Sequence, residues 1–140
     1  MLIVKHTMDT HATREDIWNI WQDVEKWNTW DHAVEYSSIQ GAFKGGTKGT
    51  WKIKSEPVFS FDLTRVEYLK TFVLEVKLFL ARIVCSHYLT QEAGKTRVTH
   101  QVEIKGPLAF FYAYHVGASV RKNIPAEMEV LVNKAESLRN

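Results

Sequence analysis

The chain has 140 residues, 45% of them apolar and 24% charged, with a formal net charge of +2. That length supports one domain, residues 1–140, with a core that needs no disulfide or metal staple, and a single cysteine, Cys85, excludes an internal disulfide. The small charge and the lack of any Lys/Arg run exclude the electrostatic footprint of a nucleic-acid binder.

Residues 2–8 alternate weakly and read as a first strand. Lys5 interrupts the opening residues too early for a secretory signal, so a soluble, cytoplasmic protein is the expectation. Thr13-Arg14-Glu15-Asp16 then starts a helix: Thr13 can cap the free amides, and the two acids suit the positive helix end. Ile17, Trp18, Ile20, Trp21 and Val24 follow at helical spacing, a second helical turn covers 24–27, and the chain turns at Asn28. All five tryptophans fall within the first 51 residues. They suit a core of large side chains or the walls of an apolar pocket.

Strands are expected over 33–39, 50–54, 58–66, 71–78 and 80–91. Gly41, Gly45 and Gly46 punctuate the first connection, and Glu56-Pro57 interrupts the ladder. The alternation puts Trp51 with Ile53, and Phe59 with Phe61 and Leu63, on single faces; a one-residue error would turn each set outward. The most apolar run, 72–85, is broken by Glu75, Lys77 and Arg82 and is too short to span a bilayer, so integral membrane association is not expected. It is apolar on both faces, which leaves a homodimer open. Ala93-Gly94-Lys95 marks a hairpin. On the strand before it Cys85, His87 and Leu89 share a face, and on the strand after it Val98, His100, Val102 and Ile104 do. A turn at Ala93-Gly94 places His87 directly opposite His100; a turn at Gly94-Lys95 makes them diagonal neighbours. Gly106-Pro107 ends the strands. Residues 108–138 carry apolar side chains at 3.6-residue spacing, with a kink expected before Pro125.

Nearly all strand-like sequence therefore lies in one stretch, 32–105, between short helical segments and one long terminal helix. This order implies an α+β fold: a curved antiparallel sheet of roughly six to seven strands gripping a long C-terminal helix, with two short helices after the first strand. Such a shape tends to enclose a cavity between sheet and helix.

Three segments resemble a known family. Ala12-Thr13-Arg14-Glu15-Asp16-Ile17-Trp18 resembles the start of its first helix, and Trp27-Asn28-Thr29-Trp30-Asp31 its tryptophan signature before the second strand. Gly94-Lys95-Thr96-Arg97-Val98-Thr99, followed by Gly106-Pro107-Leu108-Ala109, resembles its last hairpin and the start of its terminal helix. The family is the START-like, helix-grip superfamily (SRPBCC), which includes polyketide cyclases, lipid-transfer domains and pollen-allergen-like proteins. The resemblance covers the whole chain and implies an internal cavity for a small apolar or amphipathic molecule such as a lipid, an aromatic or a polyketide. It also implies the alternatives of a cyclase/dehydratase-type enzyme or a protein-interaction module with a filled cavity. It specifies a scaffold rather than a reaction.

His87 and His100 are the best candidates for chemistry. They read either as a polar anchor or general acid/base pair, or as two core histidines satisfied by hydrogen bonds. Trp51, Phe59, Phe61, Phe111, Tyr114 and His115 are expected to line the same space, with Tyr114 supplying a polar tip. No cofactor is called for, because the glycines at 41–49 have neither dinucleotide nor P-loop spacing. No metal is expected either: Cys85 and His115 are the obvious third ligands on that face, and they form no tight ligand motif. Cys85 reads as a small buried hydrophobe, and His6 and His11 as surface or strand-edge residues.

Overall fold

The computed structural model describes residues 1–138. Its strands are β1 (Leu2–Thr10), β2 (Val34–Ile39), β3 (Lys48–Ile53), β4 (Val58–Glu67), β5 (Thr71–Leu78), β6 (Ala81–Glu92) and β7 (Lys95–Lys105). Helix α1 (Arg14–Gln22) and a 3-10 helix (Val24–Thr29) lie between β1 and β2, and α2 (Ala109–Ser137) follows β7. The seven strands form one antiparallel sheet in the order β1-β7-β6-β5-β4-β3-β2. This is the helix-grip architecture expected from the order of elements.

The sheet curls for identifiable reasons. Register shifts interrupt three of its ladders, between Leu2 and Val4, Val34 and Tyr36, and Leu63 and Arg65, and such irregularities bend a strand and increase its twist. α1 starts on a reciprocal cap: the Asp16 amide donates to Thr13 Oγ1 at 3.1 Å and the Thr13 amide to Asp16 Oδ2 at 2.9 Å. α1 and the 3-10 helix carry the chain from one sheet edge to the other, placing Trp21 and Trp27 over the concave face. There the Trp27 ring stacks near Phe61 and Phe72, with ring centres 5.8 and 6.2 Å away, and its Nε1 donates to the Trp21 carbonyl at 2.8 Å. Gly49 sits opposite Phe61. A Cβ there would lie 2.2 Å from the Phe61 ring, so Phe61 can face inward because its cross-strand neighbour has no side chain.

α2 is continuous from Ala109 through Pro125 to Ser137. Its buried stripe of Ile124, Met128, Leu131 and Ala135 faces the core, and Glu136 Oε2 accepts from Thr10 Oγ1 at 2.6 Å, anchoring its end to β1. The concave side is occupied by this stripe and by the aromatic rings of α1, the 3-10 helix, β4 and β5. Two depressions, one between residues 77–82 and 105–107 and one along 40–48, lie at the surface and are open.

The β6–β7 hairpin closes on Glu92 opposite Lys95, so Ala93-Gly94 is the turn. Both residues have positive φ, +51° and +79°, the type I′ geometry that matches strand twist. Alanine is strained there by about 1–2 kcal/mol. Replacing Ala93 with Asn, which tolerates this conformation, should therefore stabilise the protein by about 1 kcal/mol and raise its thermal midpoint by a few degrees. An unchanged or lower midpoint in a calorimetric melt would contradict the assigned turn.

Candidate functional site

The turn fixes a file of side chains across the sheet. His6 of β1 pairs with His100 of β7, His100 with His87 of β6, and His87 with Phe72 of β5, all in direct register on the inner face. The His87 ring stacks on Phe72 with centres 3.9 Å apart and planes 6° from parallel. His100 lies 4.0 Å beyond it, tilted by 33°. Both imidazoles are buried. His6 lies on an edge strand, as the sequence suggests, but on the inner side.

α2 meets this file with a carboxylate. Glu127 is buried, and its Oε1 lies 2.7 Å from His100 Nδ1. One turn earlier, Asn123 Nδ2 lies 3.3 Å from both Glu127 Oε2 and Asp31 Oδ1. Asp31, in the turn after the 3-10 helix, also accepts from the Ala33 amide at 3.0 Å and is hydrogen-bonded to Glu127. The result is a continuous buried chain, Asp31–Glu127–His100, with His87 stacked on its end.

Burial dominates the acid–base behaviour of these groups. It pushes the Asp31 carboxyl up to about 8, helped by the adjacent Glu127 charge and only partly relieved by Asn123 and the Ala33 amide. It pushes Glu127 up to about 7, against the hydrogen bond from Asp31. It pulls His100 down to about 4, against the Asp31 charge. It holds His87 well below the usual imidazole range, with His100 adding to the effect and the Phe72 carbonyl opposing it. The proton assignment that follows places a hydrogen on Asp31, donated to Glu127. A neutral His100 donates its Nδ1–H to Glu127, and His87 donates its Nδ1–H to the Phe72 carbonyl at 3.3 Å. His100 Nε2 is then a bare acceptor, buried and without a partner among the described residues. The indole nitrogens of Trp21, Trp30 and Trp51 are likewise unpartnered donors. In a native core each such group calls for an explanation.

Rings wall this cluster. Trp21 meets His87 edge-on at 5.5 Å. Phe43, from the glycine-rich 41–46 connection, lies 5.2 Å from Phe72 and 5.7 Å from Trp18. This connection thus inserts a ring into the core. Phe61 faces inward; Trp51 and Phe59, paired across β3 and β4, lie on the same face and are partly buried. Cys85 is buried, and its thiol is pushed up to about 12 by burial and by Glu127 and Asp31. A thiol held so firmly protonated is a poor nucleophile.

One set of expected neighbours lies elsewhere. Phe111, Tyr114 and His115 stand on the exposed side of α2, Tyr114 at 85% exposure. The inward side of this half is Tyr112, Ala113, Val116, Gly117 and Val120. Because the segment is apolar nearly all round, its pattern does not fix the phase, and one residue turns a helical side chain by about 100°. Neither Tyr114, expected to supply a polar tip, nor His115, expected to line the same space, reaches the histidines. Conversely, the sequence reading missed Glu127, Asn123 and Asp31. Glu127 carried a signal: it sits within the Ile124–Met128–Leu131 stripe, where an acid must be buried. Asp31 carried none, since its partners come from distant parts of the chain.

No protein-family model matches this sequence, and no curated protein does. Solved structures match its fold. The chain superposes on the Zhui aromatase/cyclase of a Streptomyces species with a TM-score of 0.74 at 12% identity, covering 98% of this chain and 94% of that one. For norcoclaurine synthase of Thalictrum flavum the values are 0.69, 12%, 93% and 83%. For DynU16, a putative protein in the dynemicin biosynthetic locus, they are 0.71, 13%, 95% and 46%. The chain thus spans about half the length of DynU16. At these identities the likeness establishes the helix-grip fold.

The buried cluster makes stability depend on pH. The two carboxyls have raised folded values, so the stability they add is present at low pH and is lost as pH rises through about 7 and 8. The two histidines have depressed folded values, so their contribution grows as pH rises toward 6.5. The two effects oppose each other below pH 6.5, and only the carboxyl effect remains above it. Stability should therefore fall between about pH 6.5 and 8.5, and a Asp31→Asn/Glu127→Gln double variant should be flat there. Denaturant titrations across this range test it; a wild-type curve that rises, or one the double variant reproduces, would contradict the proton assignment.

Proposed function

We propose that the protein binds a small, largely apolar molecule carrying a hydrogen-bond donor on the concave side of the sheet, with His100 Nε2 as its anchor. The observation that carries this reading is the buried, unpartnered Nε2, held in one tautomer by Glu127 and walled by aromatic rings. Ligand sites commonly combine such apolar walls with a few fixed polar groups. The unpartnered indole N–H of Trp21, whose ring meets His87, offers a complementary donor to a ligand carbonyl or hydroxyl. Because rings now fill the interior, binding needs one of them to move, and Phe43 is the best placed: it is partly buried and sits between Gly41 and Gly46, both at positive φ. The aromatase/cyclase and norcoclaurine synthase named above support a ligand-binding scaffold of this shape.

A second reading is favoured by the Asp31–Glu127–His100 chain. A neutral imidazole whose Nδ1–H is held by a carboxylate can accept a proton at Nε2, and the carboxylate stabilises the imidazolium that results. This would make the protein a cyclase- or dehydratase-type enzyme that moves a proton on a bound polyketide-like substrate.

One experiment separates the two. Titration of the protein with a panel of hydroxylated aromatic and polyketide-like compounds, followed by tryptophan fluorescence and native mass spectrometry, should give a one-to-one complex. His100→Gln keeps a donor for Glu127 and removes the basic nitrogen. If His100 is an anchor, that variant should bind about tenfold more weakly. If it is a base, the variant should bind normally and lose turnover. A wild-type protein that binds no member of the panel, or a variant unchanged in both respects, would sink both readings.

A further inference from the structure

A second unusual feature lies away from the histidines and does not depend on that reading. The β5–β6 hairpin closes on Leu78 opposite Ala81, so its two-residue tip is Phe79-Leu80. Asn, Asp and Gly dominate such tips because they need positive φ. Here Leu80 adopts φ +53°, with Phe79 74% and Leu80 52% exposed. A strained residue persists only where the surrounding structure imposes it, and here the tip is tied down. The Leu108 amide donates to the Leu80 carbonyl and the Tyr112 hydroxyl to the Phe79 carbonyl, both at 3.1 Å. These bonds join the tip to the start of α2, where Phe110, Phe111 and Tyr114 are also exposed. Those three side chains, at i, i+1 and i+4, share one side of the helix.

Behind the tip stands a file of cations. Lys77, Arg82 and Lys105 are in direct register across β5, β6 and β7, an arrangement in which like charges repel. Arg82 is paired with Glu75 at 3.3 Å; among the described residues Lys77 and Lys105 have no acidic partner. With Leu78, Leu80 and Pro107 they line an open depression of about 540 Å³. The exposed side of α2 continues to Arg121 and Lys122.

We propose that this end of the molecule docks on an anionic lipid surface. Phe79, Leu80, Phe110 and Phe111 enter the boundary between headgroups and acyl chains, Tyr114 sits at headgroup level, and Lys77, Arg82 and Lys105 meet the anionic headgroups. Exposed aromatics flanked by unneutralised basic residues are what an interfacial element combines. A protein interface, by contrast, is depleted in lysine at its core. The uncompensated charge therefore selects a lipid occupant over a second protein.

The test is co-sedimentation of the full chain with vesicles of phosphatidylcholine alone or mixed with phosphatidylserine. Binding is expected to the mixed vesicles and to weaken with added salt. Lys77→Gln and Lys105→Gln should each weaken it about fivefold, from roughly 1 kcal/mol per basic residue at such a surface. Phe79→Ser/Phe110→Ser should weaken it at least about tenfold, while circular dichroism, as for substitutions at exposed sites, stays native. No binding to the mixed vesicles, or binding that the Phe79→Ser/Phe110→Ser variant retains, would overturn the proposal. So would a dimer in sedimentation velocity that Phe79→Ser dissolves while the vesicles stay unbound, which would assign the patch to a second copy of the chain.

Discussion

A carboxylate cannot be buried alone, and Glu127 is buried. Its partners are drawn from three parts of the chain that are distant in sequence: His100 at the middle of β7, Asn123 one turn back on α2, and Asp31 in the turn after the 3-10 helix. Removing one partner of such a set leaves a charge or a polar atom unpaired, which costs several kcal/mol. The cluster therefore imposes conditions on everything around it. α2 must present its 124, 127, 128 and 131 side inward. The β6–β7 hairpin must turn at Ala93-Gly94 so that His100 and His87 stack in register. The chain must cross the concave face before β2 so that Asp31 reaches α2.

The aromatic core and the polar cluster depend on each other. Phe72, Trp21 and Phe43 exclude water from the histidines, and that exclusion is what raises the carboxyls and lowers the imidazoles. In turn, the cluster leaves an acceptor, His100 Nε2, buried without a partner among the described residues, in a space filled by rings. A core that only needed stability would put apolar side chains at 31, 100 and 127, which is often neutral or better in energy. Keeping polar groups there, with one atom unsatisfied, points to a use for that atom. The sheet's curl, produced by bulges and by Gly49 opposite Phe61, supplies the depth in which it sits.

Much of this was legible in the sequence, for physical reasons. Alternation over 59–63 in β4, 85–89 in β6 and 98–104 in β7 marked the inner faces, so Phe61, His87 and His100 fall where their spacing puts them. Thr13 and Asp16 announced the α1 cap, and Gly94 the last hairpin, although its register stayed open between two turns until Ala93 was found in the left-handed region. The first half of α2 was not legible, because a segment apolar all round has no preferred side. That is why Phe111, Tyr114 and His115 are exposed where inward positions were expected. The Glu127–His100 contact was half legible: the helical stripe demanded that Glu127 be buried, but which group would meet it depends on how α2 crosses β7. Asp31 belongs to a turn without periodicity, and its role exists only in three dimensions.

The account stands on the proton state of His100. Nitrogen-15 NMR of the protein labelled in its histidines reads the tautomer and titration of each ring directly. The prediction is a neutral His100 with its proton on Nδ1 throughout the range from pH 5 to 8, titrating only toward about 4. A His100 ring that titrates near 6.5 like a free imidazole, or that carries its proton on Nε2, would contradict the buried chain from Asp31 to the unpartnered nitrogen.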